Sequence, residues 1–208
     1  LRQAISTSDG WQVTVPEILL RTTKAMAGFQ PAWVLCGGWA VDAWLGRESR
    51  AHCDVDLAIA LEDQLAVLHY LDGWHVRGHD DEDDATTEQW DGRQLAFPGH
   101  IHATSPDGIE LDVQLERWND AMWELSTEPR ITLPLKQCTR PTPWGLPATT
   151  PEVVLFYKAS ERPRPHDNQD FRALLPLLGE TERSWLSEAI TLAHPACPWL
   201  PHLSATTS

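Results

Sequence analysis

The sequence predicts an α/β domain over residues 1–140, a linker at 141–150 and a small helical domain over 151–208. Three observations carry that expectation. Residues 54–60 and 109–115 alternate apolar and polar side chains strictly, which is the period of a half-buried strand. Gly37-Gly38 joins a short apolar strand pattern to a helical one. Beyond Pro151 the strand patterns cease and three helical segments follow.

Taken in order, Val15, Ile18, Leu19 and Met26 stand close to helical spacing, so 12–29 reads as a helix, ended by Gly28 and Pro31. Residues 32–36 form a short apolar run, a buried strand, and 39–45 a short helix closed by Gly46. In 54–60, Val55, Leu57 and Ile59 face one way, and Asp54, Asp56 and Ala58 the other. Residues 62–71 read as a helix, and short strands are expected near His75 and Gln94 around an acidic loop. Residues 100–104 and 109–115 make a hairpin about Ser105-Pro106-Asp107-Gly108, a strong turn signal. Pro, Thr and Gly crowd 141–151, the composition of a linker or crossing loop. Thr150 as cap and Pro151 as first residue start a helix to 159, followed by helices at 167–178 and 181–193.

Composition narrows the function. A chain of 208 residues buries roughly 70% of its unfolded surface and needs no disulfides to hold a core. Sixteen Lys and Arg against 30 Asp and Glu give a net charge of −14. That disfavours duplex nucleic acid and anionic membranes as partners, while leaving room for one nucleotide in a local pocket. Cys36, Cys53, Cys138 and Cys197 are scattered without C-x-x-C spacing, so they read as reduced thiols. No apolar run approaches the ~20 residues of a membrane span, and no signal-peptide pattern opens the chain. Cytoplasmic location is the expectation. Eleven Trp are mostly core fillers, with some expected at a ligand cleft.

The chemistry lies on the two alternating strands. Asp54 and Asp56 leave the same face of one strand. Paired carboxylates repel unless a cation lies between them, and Mg²⁺ takes one or two carboxylates plus substrate phosphates. On the later strand Ile109, Leu111, Val113 and Leu115 are the apolar set, leaving Glu110, Asp112 and Gln114 on the polar face. Were the strands neighbours, three carboxylates would converge, a layout for two metals or for a metal and a general base. Gly37-Gly38 lets backbone N–H groups approach an anion at a helix start.

The segment GGWAVDAWLGRESRAHCDVDLAIA, residues 37–60, resembles the polymerase-β-type nucleotidyltransferase signature. It takes the G-R-x-x-R-x-H-x-D-x-D-L form of the aminoglycoside and lincosamide nucleotidyltransferase branch, through Gly46, Arg47, Arg50, His52, Asp54, Asp56 and Leu57. The later strand resembles the family's third-carboxylate strand, which puts that role on Asp112. Residues 151–178 are similar to the branch's helical part. Lys158 matches its helix lysine, Asp167 and Asp170 match a K-D-x-x-D-F pattern, and His166 replaces its Lys. The likeness is good at both ends and poor over 61–108, where acceptor specificity is expected.

The resemblance implies a nucleotidyltransferase-fold mixed sheet with flanking helices and a metal-dependent transfer of a nucleoside monophosphate, AMP from ATP, onto a small-molecule hydroxyl. It implies two Mg²⁺ held by Asp54, Asp56 and Asp112, with Asp112 serving as metal ligand or as base. It also implies a nucleotide bound by Gly37, Gly38, Arg50, His52 and Lys158. The acidic surface favours a cationic acceptor such as an aminoglycoside, which would make the role antibiotic resistance. A homodimer would cover a cleft that a chain this small leaves open. Two rival functions are a toxin–antitoxin nucleotidyltransferase acting on a protein or RNA end, and a non-catalytic nucleotide-binding module.

Other motifs have blander readings beside the functional ones. The run His79-Asp80-Asp81-Glu82-Asp83-Asp84 is a solvated loop or an attractor for a cationic acceptor. His100 and His102 alternate on a strand but lack a third ligand at a defined spacing, so a packed or exposed pair is expected. Trp39 either stacks on a base or packs the helix. Asp167 is accounted for by helix capping.

Overall fold

The computed structural model describes residues 4–6, 12–80, 88–119 and 121–204. Asp81, Glu82, Asp83 and Asp84 of the acidic run lie outside the described residues. The chain opens with an antiparallel ribbon of β1 (Ala4–Ser6) and β2 (Gln12–Thr14). Helix α1 (Glu17–Met26) therefore starts later than its periodicity suggests, at Pro16, which fixes the backbone before the first turn. Then come β3 (Trp33–Leu35), α2 (Gly37–Leu45), β4 (Val55–Ala60), a 3₁₀ turn at Leu61–Asp63 and α3 (Gln64–Tyr70). Strands β5 (His75–His79), β6 (Gly99–Thr104), β7 (Glu110–Trp118), β8 (Met122–Glu124) and β9 (Thr132–Pro134) follow. The short α4 (Leu135–Cys138) leads into β10 (Thr139–Pro141) and β11 (Pro147–Thr149). The chain ends in α5 (Pro151–Lys158), α6 (Pro165–Leu174), a 3₁₀ turn, α7 (Glu180–Ala193) and α8 (Leu200–Leu203).

The main sheet is mixed, in the order β10-β11-β3-β4-β7-β6-β5, with β8 and β9 hung on the end of β7. The pairs β4–β7 and β11–β3 are parallel and the rest antiparallel. The alternating residues behave as their pattern requires: Val55, Leu57, Ile59, Leu111, Val113, Leu115 and Ile101 are all buried on one face. That core continues without a break into Val153, Val154, Leu155 and Phe156 of α5, and α2 packs against both α5 and α6. Among the described residues no helix is long and apolar enough to cross a membrane.

Three local expectations need correction. Gln94 is in no strand; the side chain of Gln64 accepts the Leu95 N–H at 2.6 Å, taking the place of a neighbouring strand. Thr150 is the N-cap residue of α5 and Pro151 its first, as expected, but the Thr150 hydroxyl donates to the Gln137 carbonyl at 3.3 Å and accepts no N–H of the helix. The segment 141–150, whose composition reads as a linker, carries β11 beside β3. Its Pro, Thr and Gly serve a tight turn instead: Thr142 N–H donates to the Leu146 carbonyl at 2.9 Å, Gly145 has a φ of 75°, and Trp144 is buried beneath.

Candidate active site

Strand β4 lies parallel to β7 with Asp56 directly opposite Asp112. Each strand buries its odd-numbered residues, so Asp56 and Asp112 share the other, polar face; Asp54, expected on the strand, stands one residue before β4, where its carboxyl feels the charge of Asp112. Helix α2 leaves β3 at one end of this face. Gly37 stands at φ +58°, and a Cβ there would lie 2.0 Å from Asp56 Oδ2. At Gly38 a Cβ would lie 2.5 Å from both Arg50 Nη2 and His52 Nδ1. The backbone N–H of Gly38 points to Asp56 Oδ2 at 3.3 Å. Both glycines are therefore demanded by close approach, and the first also by its backbone angle. The fold has brought Gly37, Gly38, Arg50, His52 and the aspartates to one place.

The electrostatics are those of a site waiting for positive charge. Burial, then the charges of Asp112 and Asp54, push the Asp56 carboxyl up to about 7, against the pull of the Gly38 N–H and Lys158. Asp54 is also raised, by burial first and then by Asp112. Asp112 Oδ1 is buried and takes no hydrogen bond among the described residues; its near neighbour is His100 Nδ1 at 3.5 Å. An orphaned carboxylate oxygen and two acids that resist ionisation fit a divalent cation, and a set of three carboxylates suits a hard one. Asp54, Asp56 and Asp112 would hold it.

A buried ionic network supports the glycine turn from behind. Asp42 of α2, fully buried, accepts the Ser49 N–H at 3.0 Å and the Ser49 hydroxyl, and lies 2.6 Å from His52 Nε2. The His52 ring rests on Trp39, with centroids 4.3 Å apart, so Trp39 is a packing residue here. Arg50 Nη1 stands 3.1 Å from His52 Nδ1, while its Nε and Nη2 donate to Asp170 at 3.3 and 3.2 Å. Lys158 Nζ is 3.0 Å from Asp170 and 3.5 Å from Asp167, with only 9% of its side chain exposed. Its charge is nonetheless felt at Asp56. Asp167 accepts the Arg164 N–H at 3.2 Å and so closes the first turn of α6.

Sequence reasoning missed Asp42. Its signal is an acid inside the apolar helix GGWAVDAWL, with Ser49 and His52 downstream as donors. It also left His100 and His102 without a third ligand. The structure supplies one, because β6 pairs with β7 and places His102 opposite Asp112.

A family model described as aminoglycoside-2''-adenylyltransferase matches residues 18–143, a span that contains Gly37, Gly38, Asp54, Asp56 and Asp112. Solved structures similar to the chain include the lincosamide antibiotic adenylyltransferase LnuA bound to lincomycin. It has a TM-score of 0.59 and 17% identity, over 79% of this chain and 98% of that one. The solution structure of the antibiotic-resistance factor ANT(2'')-Ia gives a TM-score of 0.59 and 20% identity, over 84% and 90%. The crystal structure of ANT(2'')-Ia with adenylyl-2''-tobramycin gives 0.55 and 22%, over 85% and 98%. These likenesses show the shared nucleotidyltransferase-type fold. No curated protein sequence matches the chain.

Proposed function

The chain belongs to the aminoglycoside-2''-adenylyltransferase family, and from that premise we propose that it moves AMP from ATP onto a hydroxyl of a small, cationic antibiotic, in the presence of Mg²⁺. The observation that carries the proposal is the in-register pair Asp56–Asp112 on parallel strands, with the N-terminus of α2 against Asp56. Two Mg²⁺ ions on Asp54, Asp56 and Asp112 would neutralise the triphosphate and the charge that develops at the α-phosphorus. The N-terminal amides of α2 beside Gly37 and Gly38 face the anionic phosphates, as a helix start favours. Arg50 and Lys158 contribute positive charge from the side of α5 and α6, and His52, held by Asp42, fixes the arginine. The acceptor hydroxyl oxygen attacks the α-phosphorus, the bond to the bridging oxygen breaks, and pyrophosphate leaves. Asp112, which would bind metal through one carboxylate oxygen, receives the hydroxyl proton on the other, so it serves both as ligand and as base. This work is positioning and charge neutralisation, with no covalent enzyme intermediate needed.

The neighbours carry lincomycin and adenylyl-2''-tobramycin. For this chain a net charge of −14 favours the polycationic acceptor. The reading places the enzyme in the cytoplasm, where ATP is present and the four cysteines stay as free thiols. The test is transfer of label from α-labelled ATP to members of an aminoglycoside and lincosamide panel. Transfer that needs Mg²⁺ and is lost in Asp54→Asn supports the reading; full transfer by that variant overturns it.

A further inference from the structure

We propose that His100, His102 and Asp112 form a second cation site, one for a nitrogen-preferring divalent ion of the Zn²⁺ class, which shares Asp112 with the carboxylate site. His100 and His102 are two apart on β6 and project from one face. Antiparallel pairing sets His102 opposite Asp112, with His100 on the adjoining diagonal. One ligand atom from each of the three lies within 4.8 Å of the others. The tightest measured pair, His100 Nδ1 and Asp112 Oδ1, is 3.5 Å apart. In a tetrahedral Zn²⁺ site with bonds of ~2.0–2.1 Å, ligand atoms stand about 3.3 Å from one another. Small side-chain rotations therefore complete three corners, and the fourth stays open to water. Asp112 Oδ1 is buried and, among the described residues, receives no hydrogen bond, so it has an unused lone pair beside His100 Nδ1.

The surroundings are built for such a group. His79 on β5 is 3% exposed and sets its ring 5.1 and 5.0 Å from those of His100 and His102. This third ring packs against both and limits their rotamers, as the residues around a metal's ligands usually do. Donor chemistry separates this site from the hard-cation one: two imidazoles and one carboxylate favour Zn²⁺, Co²⁺ or Ni²⁺ over Mg²⁺. Because Asp112 serves both sites, a bound Zn²⁺ withdraws it from catalysis, so Zn²⁺ inhibits transfer. That consequence rests on the proposed transferase reading; the binding itself does not.

The test is titration of the metal-free full chain with Zn²⁺ by calorimetry, and with Co²⁺ by its visible absorption, in the absence of nucleotide. The expected result is one ion per chain, with a Co²⁺ spectrum of low coordination number. His100→Ala/His102→Ala weakens binding by roughly 100-fold or more, the effect of removing direct ligands when lost supporting partners already cost 10–100-fold. Asp54→Asn/Asp56→Asn keeps the affinity within about threefold, and Mg²⁺ in millimolar excess does not displace the ion. A single cooperative melting transition in each variant shows that it folds. If that transition is lost in the histidine pair, His102→Gln takes its place, with a weakening of roughly 10-fold or more expected. Absence of stoichiometric binding, indifference to the histidines, or loss in the Asp54/Asp56 variant overturns the proposal. Histidine-dependent binding by a chain that adenylylates no acceptor would leave the site standing and remove only the transferase reading.

Discussion

Replacing Asp56 by Asn should abolish transfer and yet stabilise the metal-free protein above neutral pH. The Asp56 carboxyl ionises at about 7 in the fold, against 3.8 for an unperturbed aspartate. At about 1.4 kcal/mol per pH unit, keeping it charged in the fold at pH 8 costs about 4 kcal/mol. Solvent reaching a half-buried group, and the poorer acceptor an amide offers to the Gly38 N–H, reduce the expected gain to about 2 kcal/mol. For a chain of this length that is a rise in Tm of roughly 4–8 °C. The sign with pH is fixed. A group whose folded pKa is raised contributes its stability below 3.8 and loses it as pH rises to about 7. The gap between variant and wild type is thus full above pH 7 and closes as pH falls towards 4. Thermal melts in EDTA between pH 4.5 and 8.5 measure it. An Asp56→Asn protein that melts at or below wild type at pH 8, or a gap independent of pH, would refute the electrostatic account. Excess Mg²⁺ should reverse the order by stabilising wild type alone.

Further expectations concern neighbouring groups. Gly37→Ala places a Cβ 2.0 Å from Asp56 Oδ2 at a φ of +58°, so kcat/KM should fall at least ~100-fold, with a loss of about 1–3 kcal/mol in stability by melting. Asp42→Ala removes the fully buried acceptor shared by His52 and Ser49, which should cost about 2–4 kcal/mol and lower Tm by roughly 4–16 °C. Lys158→Met leaves Asp170 with Arg50 alone and removes a positive charge felt at Asp56; KM for ATP should rise about 10-fold or more in steady-state assays. The acidic limb of kcat/KM should break near pH 7, where Asp56 takes a proton, and should move to lower pH as Mg²⁺ is raised, because the cation competes with that proton.

The legible part of this fold is what short-range pattern encodes. The alternation put Val55, Leu57, Ile59, Leu111, Val113 and Leu115 on the buried face and left Asp56 and Asp112 together on the other, the face of the candidate site. Gly37-Gly38 was legible as a close approach to something anionic, although the protein's own Asp56 fills part of that role. What stayed hidden depends on contacts between distant residues. Asp42 looks like any helical acid until Ser49 and His52 fold back on it. The His100–His102–Asp112 group exists only because β6 and β7 pair in one register, and a shift of one residue would send the histidines into the core face. The Pro-, Thr- and Gly-rich 141–150 segment misleads for the opposite reason. Its composition specifies a tight turn, and composition alone does not say that the arm beyond the turn pairs with β3.

The most direct test of the central claim is mass spectrometry of an aminoglycoside incubated with the protein, ATP and Mg²⁺, beside Asp112→Asn. The account predicts a product heavier by one adenylate, with equimolar pyrophosphate, from wild type and at least ~100-fold less from the variant. An adenylylated antibiotic formed equally fast by Asp112→Asn would contradict the site. No adduct with any aminoglycoside or lincosamide, from protein that binds ATP, would contradict the proposed acceptor.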